Sequence, residues 1–157
     1  MGLIENRQQI DDHFVGQLVP WGEVIDKTPY DMAGLLLPTD TDMAHVVAWF
    51  SHVQILAIDF TAAFDGRGFS QAWMLRNRYG WRGLLRAEGG LIADQLAYAE
   101  QMGFDQIRLK PHNIDSIEKL TSAWQAPVWR YQPDAAPEMS ILEARRRARN
   151  MAKHAAA

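Results

Sequence analysis

The chain contains no cysteine. That excludes disulfides, a catalytic thiol, thiolate metal ligation and a cysteine-held iron–sulfur cluster within it. Histidine is sparse: His13, His45, His52, His112 and His154 form no H-E-x-x-H or comparable ligand spacing, and no metal site is expected. No apolar run approaches the length that a bilayer requires, so no membrane span is expected. The opening MGLIENRQQIDD lacks a basic region followed by an apolar one, which reads against a secretory signal. Positive charge is not in excess either. The formal net charge is −3 and gives no general pull toward nucleic acid or anionic membrane. A cytoplasmic protein is the expectation. Nucleotide fingerprints are missing too. Gly66 and Gly68 fit the start of G-x-G-x-x-G, but Gln71 stands where a third small residue is needed, and there is no P-loop. No cofactor is expected, although the lack of cysteine leaves flavin and haem open.

What is present is enough apolar sequence for one domain. The chain has 157 residues and 48% of them are hydrophobic. Leu3-Ile4-Glu5 and Gln8-Gln9-Ile10 read as a hairpin turning at Asn6-Arg7. Residues 17–30, broken by Pro20, Gly22 and Pro29, read as irregular. From there strands and helices alternate. Strands are expected at 32–37, 53–60, 83–87 and 106–109, and helices at 43–50, 69–79, 91–102 and from Asn113 to Trp124. A last strand is expected at 127–131, a linker at 132–137, and a basic helix with its tail at 138–157. This alternation predicts a single α/β domain over residues 1–157, with a parallel sheet of about four βα units and right-handed crossovers. An open three-layer sheet and half of a barrel both fit.

The chain is organised around the segment from Asp59 to Gln95, centred on Asp65-Gly66-Arg67-Gly68-Phe69-Ser70. This loop follows a strand and opens a helix, where α/β proteins often place ligands. Its glycines allow close backbone approach, and free amides at a helix start attract anions. Gly66, Arg67, Gly68 and Ser70 are therefore candidate anion-binding residues, with Arg67 supplying a fork for a sulfur or phosphorus oxyanion. The plainer alternative is a tight turn capped by Asp65 or Ser70, with Arg67 paired to a nearby acid. In a parallel sheet Arg86 and Glu88 reach the same edge, as do Asp59 and Lys110, so these charges are expected to converge. A structural Arg67–Glu88 or Asp65–Arg86 pair is the alternative. Asp94 and Gln95 open the next helix, where an acid is favourable without any ligand. Arg76 and Arg78, near a helix end, read as complements to the helix dipole. Arg145, Arg146, Arg147 and Arg149 make the last helix basic, either as a solvated face or as a dock for an acidic partner.

One run of residues is similar to a known family. It comprises Asp65 to Ser70, Ala72, Leu75-Arg76, Gly80, Gly83, Leu85-Arg86-Ala87, Gly89, Asp94-Gln95 and Gly103-Phe104-Asp105. Together these residues resemble the bacterial family called domain of unknown function nine-three-four. The resemblance is dense from Phe60 to Phe104 and thin before Met32 and after Lys110, although Asp11-Asp12 resembles a common family start. Leu84, Gly90 and Ala93 depart from the pattern, where an acid, an aspartate and an arginine are usual. They put a charged surface at the start of the third helix in doubt. The resemblance implies an oxidoreductase or an accessory protein of sulfite reduction, encoded beside assimilatory sulfite reductase. Sulfite reductase or another sulfur-assimilation protein is then the implied partner. The missing cysteines favour an accessory that acts by protein contact. The other two readings are a small enzyme or oxyanion binder using an Arg67/Arg86 pocket, for an oxyanion or an adenylylated sulfur species, and a plain interaction domain.

Overall fold

The structure is a computed structural model that describes residues 2–62 and 65–109. Seven strands form one sheet: β1 (Gly2–Glu5), β2 (Gln8–Ile10), β3 (Leu18–Pro20), β4 (Met32–Pro38), β5 (Val53–Phe60), β6 (Leu84–Gly89) and β7 (Gln106–Leu109). Their order is β2-β1-β7-β6-β5-β4-β3. Strands β3 to β7 are parallel to their neighbours, while the β1–β2 hairpin adds antiparallel to β7. The domain is α/β, as the alternation of apolar runs and amphipathic segments implies.

The strand order decides how the layers lie. Each parallel strand sits beside its predecessor and always on the same side. Right-handed crossovers then carry every helix to one face. The helices are α1 (Met43–Val46), α2 (Arg67–Asn77) and α3 (Leu96–Gln101). Met43, Val46, Phe69, Ala72, Leu75, Leu96 and Ala99 from these helices pack with Leu56, Ile58 and Phe60 of β5 in one core. Side chains alternate across a strand, so Ile55, Ala57 and Asp59 of β5 point to the other face. Arg86 is paired with Ala57, and Glu88 with Asp59. Among the described residues this second face carries no helix, which is the one-sided arrangement of a barrel wall. Residues 110–157 lie outside the described part, and with them Lys110 and the helices and strand expected there.

Several elements differ from the sequence expectation, each for a local reason. The stretch expected to be irregular contains β3 and a 3-10 turn at Trp21–Glu23. Three residues ending in proline carry little strand signal, and β3 exists because it pairs with β4 at the sheet edge. The helix expected at 43–50 is α1 followed by a 3-10 turn, Val47–Trp49, consistent with adjacent β-branched Val46 and Val47. The helix expected from Leu91 is shorter. A 3-10 turn, Ala93–Gln95, precedes α3, and the Gln95 side chain accepts from the Ile92 amide at 3.2 Å. Strand β6 runs two residues past Ala87, which brings Glu88 into the sheet. The hairpin turns where expected, at Asn6 and Arg7, with φ of 49° and 63°. Both are left-handed, as a two-residue hairpin turn of this kind requires. Arg7 is held there by Glu100 at 3.1 Å.

Gly68 shows what its loop glycine is for. A Cβ at Gly68 would lie 2.5 Å from Cζ of Phe60. Phe60 is fully buried and packed against Phe69 and Phe104, so its ring has nowhere to go. Gly66, two residues earlier, has open space around it and φ of −66°. Gly68→Ala should therefore lower stability by about 1–3 kcal/mol, the usual range for overpacking, while Gly66→Ala should be near neutral. Urea denaturation of the two variants checks this; equal midpoints would reject the close helix–strand contact as the reason for Gly68.

Candidate functional site

The glycine loop builds a strand-to-helix turn around Asp65. The Asp65 carboxylate accepts from the Arg67 amide at 3.2 Å, from Arg67 Nε at 2.9 Å and from Arg67 Nη2 at 2.8 Å. The buried Thr39 hydroxyl, at the end of β4, donates to the same carboxylate at 2.5 Å. The anion at the start of α2 is thus the chain's own. The Arg67 guanidinium, followed by the Thr39 hydroxyl, holds Asp65 well below the usual carboxylate range, and Asp65 raises Arg67 in turn. This matches the plainer alternative of a tight turn with Arg67 paired to a neighbouring acid. Ser70 is exposed, and its amide makes an ordinary helical bond to the Gly66 carbonyl. Gln71 is buried and donates to the carbonyls of Pro38 and Thr41 at 3.1 Å each, which ties α2 to the β4–α1 loop.

The open face of the sheet carries the other expected charges. Parity along β6 puts Arg86 and Glu88 on this face, and register puts Gln106 and Arg108 of β7 beside them. Arg86 has only 2% of its surface exposed. Its Nη1 and Nη2 donate to the two oxygens of Asp12 at 3.2 and 3.0 Å, and Nε and Nη2 donate to Gln106 at 2.9 and 2.7 Å. Glu88 accepts from Arg108 Nε at 3.0 Å and lies 3.6 Å from Arg86 Nη1. Arg108 Nη2 donates to Asp12 as well. Gln106 passes a further bond to Glu5 at 3.2 Å. One carboxylate, Asp12, therefore bridges two guanidiniums.

Asp12 is delivered by residues 11–17, which run exposed over the sheet with no regular structure. The Asp12 side chain accepts from the Phe14 amide at 3.1 Å, which turns it inward. The Phe14 ring then lies 5.4 Å from the Arg86 guanidinium. Burial opposes a charge on Asp12. The bonds from Arg108, the Phe14 amide and Arg86 outweigh it and lower the Asp12 pKa to about 2. Burial also opposes the charge on Arg108, and its bonds to Asp12 and Glu88 outweigh that to raise its pKa.

A cavity of about 500 Å³ opens between this segment and the carboxyl ends of β5 and β6, and Asp12, Phe14, Asp59, Arg86, Glu88 and Arg108 are among its lining residues. Asp59, Arg86 and Glu88 thus come together as expected. Asp65, Arg67 and Ser70 are not among the lining residues, because α2 starts on the helix-bearing face while Arg86 points away from it. Asp94 is exposed in the turn before α3, and Gln95 serves that turn. Reading the sequence singled out neither Arg108, Gln106 nor Phe14, and it noted Asp12 only within Asp11-Asp12. The spacing Arg86/Glu88 against Gln106/Arg108, two residues apart in neighbouring strands, was the available signal for the strand half of the cluster.

A second cavity, of about 680 Å³, lies at the amino ends of β6 and β7 and is lined in part by Arg7, Arg76, Glu100 and Asp105. Four of its charges form two pairs, Arg7 with Glu100 and Arg76 with Asp105. Among the described residues no three metal-ligating side chains stand close enough to hold an ion, and no helix is long and apolar enough to cross a membrane.

A family model described as bacterial protein of unknown function (DUF934) matches residues 34–142, well over half of the chain. The chain belongs to this family. No curated protein matches it, and no solved structure does. The match spans the glycine loop, Arg86, Glu88 and Arg108, and it begins after Asp12 and Phe14. In this DUF934 protein the cavity is therefore closed by residues that precede the matched region.

Proposed function

We propose that this protein is an accessory of assimilatory sulfite reduction that works beside sulfite reductase in the cytoplasm and does not reduce sulfite itself. The observation that carries the reading is the make-up of the open-face cavity. Among the described residues no thiol, hydroxyl, imidazole or amine lines it, and the guanidiniums of Arg86 and Arg108 are already held by carboxylates. Such a set can bind and position a ligand, and among the described residues carboxylates are the one class of nucleophile it offers. The resemblance to a family encoded beside sulfite reductase, and a chain without cysteine, support the same reading.

Deletion of the gene tests it. Growth should be retained on cysteine as sole sulfur source and impaired on sulfate and on sulfite. The tagged full chain should also copurify sulfite reductase, more strongly at low salt, where charge steering is greatest. Unimpaired growth on sulfite, or purified protein that reduces sulfite with a simple electron donor, would overturn the proposal.

A second reading is an oxyanion-binding protein. It is favoured by the paired guanidiniums of Arg86 and Arg108, with Asp59 placed to accept from a hydroxyl on the ligand. Among the described residues Asp59 has neither a hydrogen bond nor an ion pair, yet it lines the same cavity.

A further inference from the structure

We infer that Asp12 is a built-in stand-in for the ligand, and that residues 11–17 form a strap which an oxyanion displaces from Arg86 and Arg108. Three features converge on this. The donors that Asp12 takes are a fork from one arginine and a single arm from another, which is how two arginines clasp a tetrahedral oxyanion. Arg86 is buried, yet part of its cover is the strap itself: the Asp12 carboxylate and the Phe14 ring. The strap is held by little else. Val15 is 93% exposed, and Asp11, His13 and Gln17 are exposed. Its return to the sheet is a tight point at Gly16, where φ is +143° and a Cβ would stand 2.3 Å from Cβ of Ala33. That glycine fixes one end and leaves the Asp12 end to swing.

With the strap out, two guanidiniums face Glu88 and Asp59. The cluster is then formally neutral, and an incoming oxyanion takes over the donors that Asp12 releases. Asp59 repels a bare anion but accepts from a hydroxyl, and the cavity is larger than an inorganic oxyanion. The ligand chemistry is an oxyanion group, either free or carried on a hydroxylated small molecule.

This rests on the oxyanion-binding reading, and titration calorimetry at low salt with sulfate, sulfite and adenosine 5′-monophosphate separates the two. At least one probe should bind the full chain; tighter binding of the nucleotide assigns the carried group, and tighter binding of sulfate or sulfite the free one. Asp12→Asn should strengthen that binding about tenfold, because a competitor that occupies the site most of the time is removed. Arg108→Gln should abolish it. Hydrogen exchange gives a readout on the unaltered chain: amides of residues 11–17 should exchange faster when the probe is added. If no probe binds the full chain or Asp12→Asn, both the oxyanion site and the strap are overturned. If a probe binds with equal strength to both and exchange in 11–17 is unchanged, the strap alone is overturned.

Discussion

Replacing Arg86 with methionine should destabilise the fold by about 3–5 kcal/mol, the range for removing one partner of a buried charge pair. The methionine keeps most of the apolar stem, so the loss is electrostatic. Gln106 loses its two donors, Glu88 loses a neighbour at 3.6 Å, and Asp12 is left with Arg108. Arg86→Lys should recover only part, because one ammonium cannot reach Gln106 and grip both Asp12 oxygens as a planar fork does. The pH dependence should change with it. The Asp12 pKa lies below its ordinary value, so its contribution is fully present above about pH 4 and is lost as pH falls toward 2. In Arg86→Met that acid-sensitive component should shrink. Urea denaturation at pH 7 and at pH 3 measures both effects. A variant within about 1 kcal/mol of the parent at pH 7 would show that the open-face network carries no more than exposed ion pairs do.

The strands could be read where burial alone defines them. Val53–Phe60 is mostly buried as the middle one of the parallel strands, so its apolar run, broken by Gln54 and Asp59 alone, has only one good interpretation. Gln106–Leu109 was legible because Gly103 and Pro111 bound it. Strand β3 was not legible, since pairing with β4 rather than its own residues makes it a strand. The site divides in the same way. Asp59, Arg86 and Glu88 could be placed together because strand parity and parallel register are local rules. Asp12 could not, because its contacts with Arg86 and Arg108 span 74 and 96 residues along the chain. Arg67 and the glycines carried the look of an anion cradle, but composition cannot tell whether the anion is a ligand or the chain's own Asp65. Nor could it tell that Gly68 answers to the ring of Phe60.

Arg76 is where the helix-dipole reading falls furthest short, and its replacement should be nearly as damaging as that of Arg86. Its side chain is 11% exposed. Nε donates to the Gly103 carbonyl at 2.9 Å, and Nη1 donates to the carbonyls of Trp81 and Gly83 at 3.0 and 2.9 Å. Nη2 meets Asp105, whose carboxylate also accepts from the Leu85 amide at 2.8 Å. One guanidinium therefore closes α2 onto the entry of β6 and the turn before β7, and so sets the register on which the Arg86 cluster depends. Arg76→Leu keeps the packing and leaves three carbonyls without a donor, and a loss of about 3 kcal/mol is expected, given 1.5–3 for a single hydrogen bond to a charged group and incomplete additivity. Arg78→Leu is the control. Arg78 is exposed, packs beside the Tyr79 ring and occupies the same helix end. If the dipole were the main effect, the two substitutions would cost similar amounts, about 0.3–1 kcal/mol each. The carbonyl clamp requires instead that Arg76→Leu lower the urea midpoint several times more than Arg78→Leu, and equal shifts would return Arg76 to the helix-dipole role.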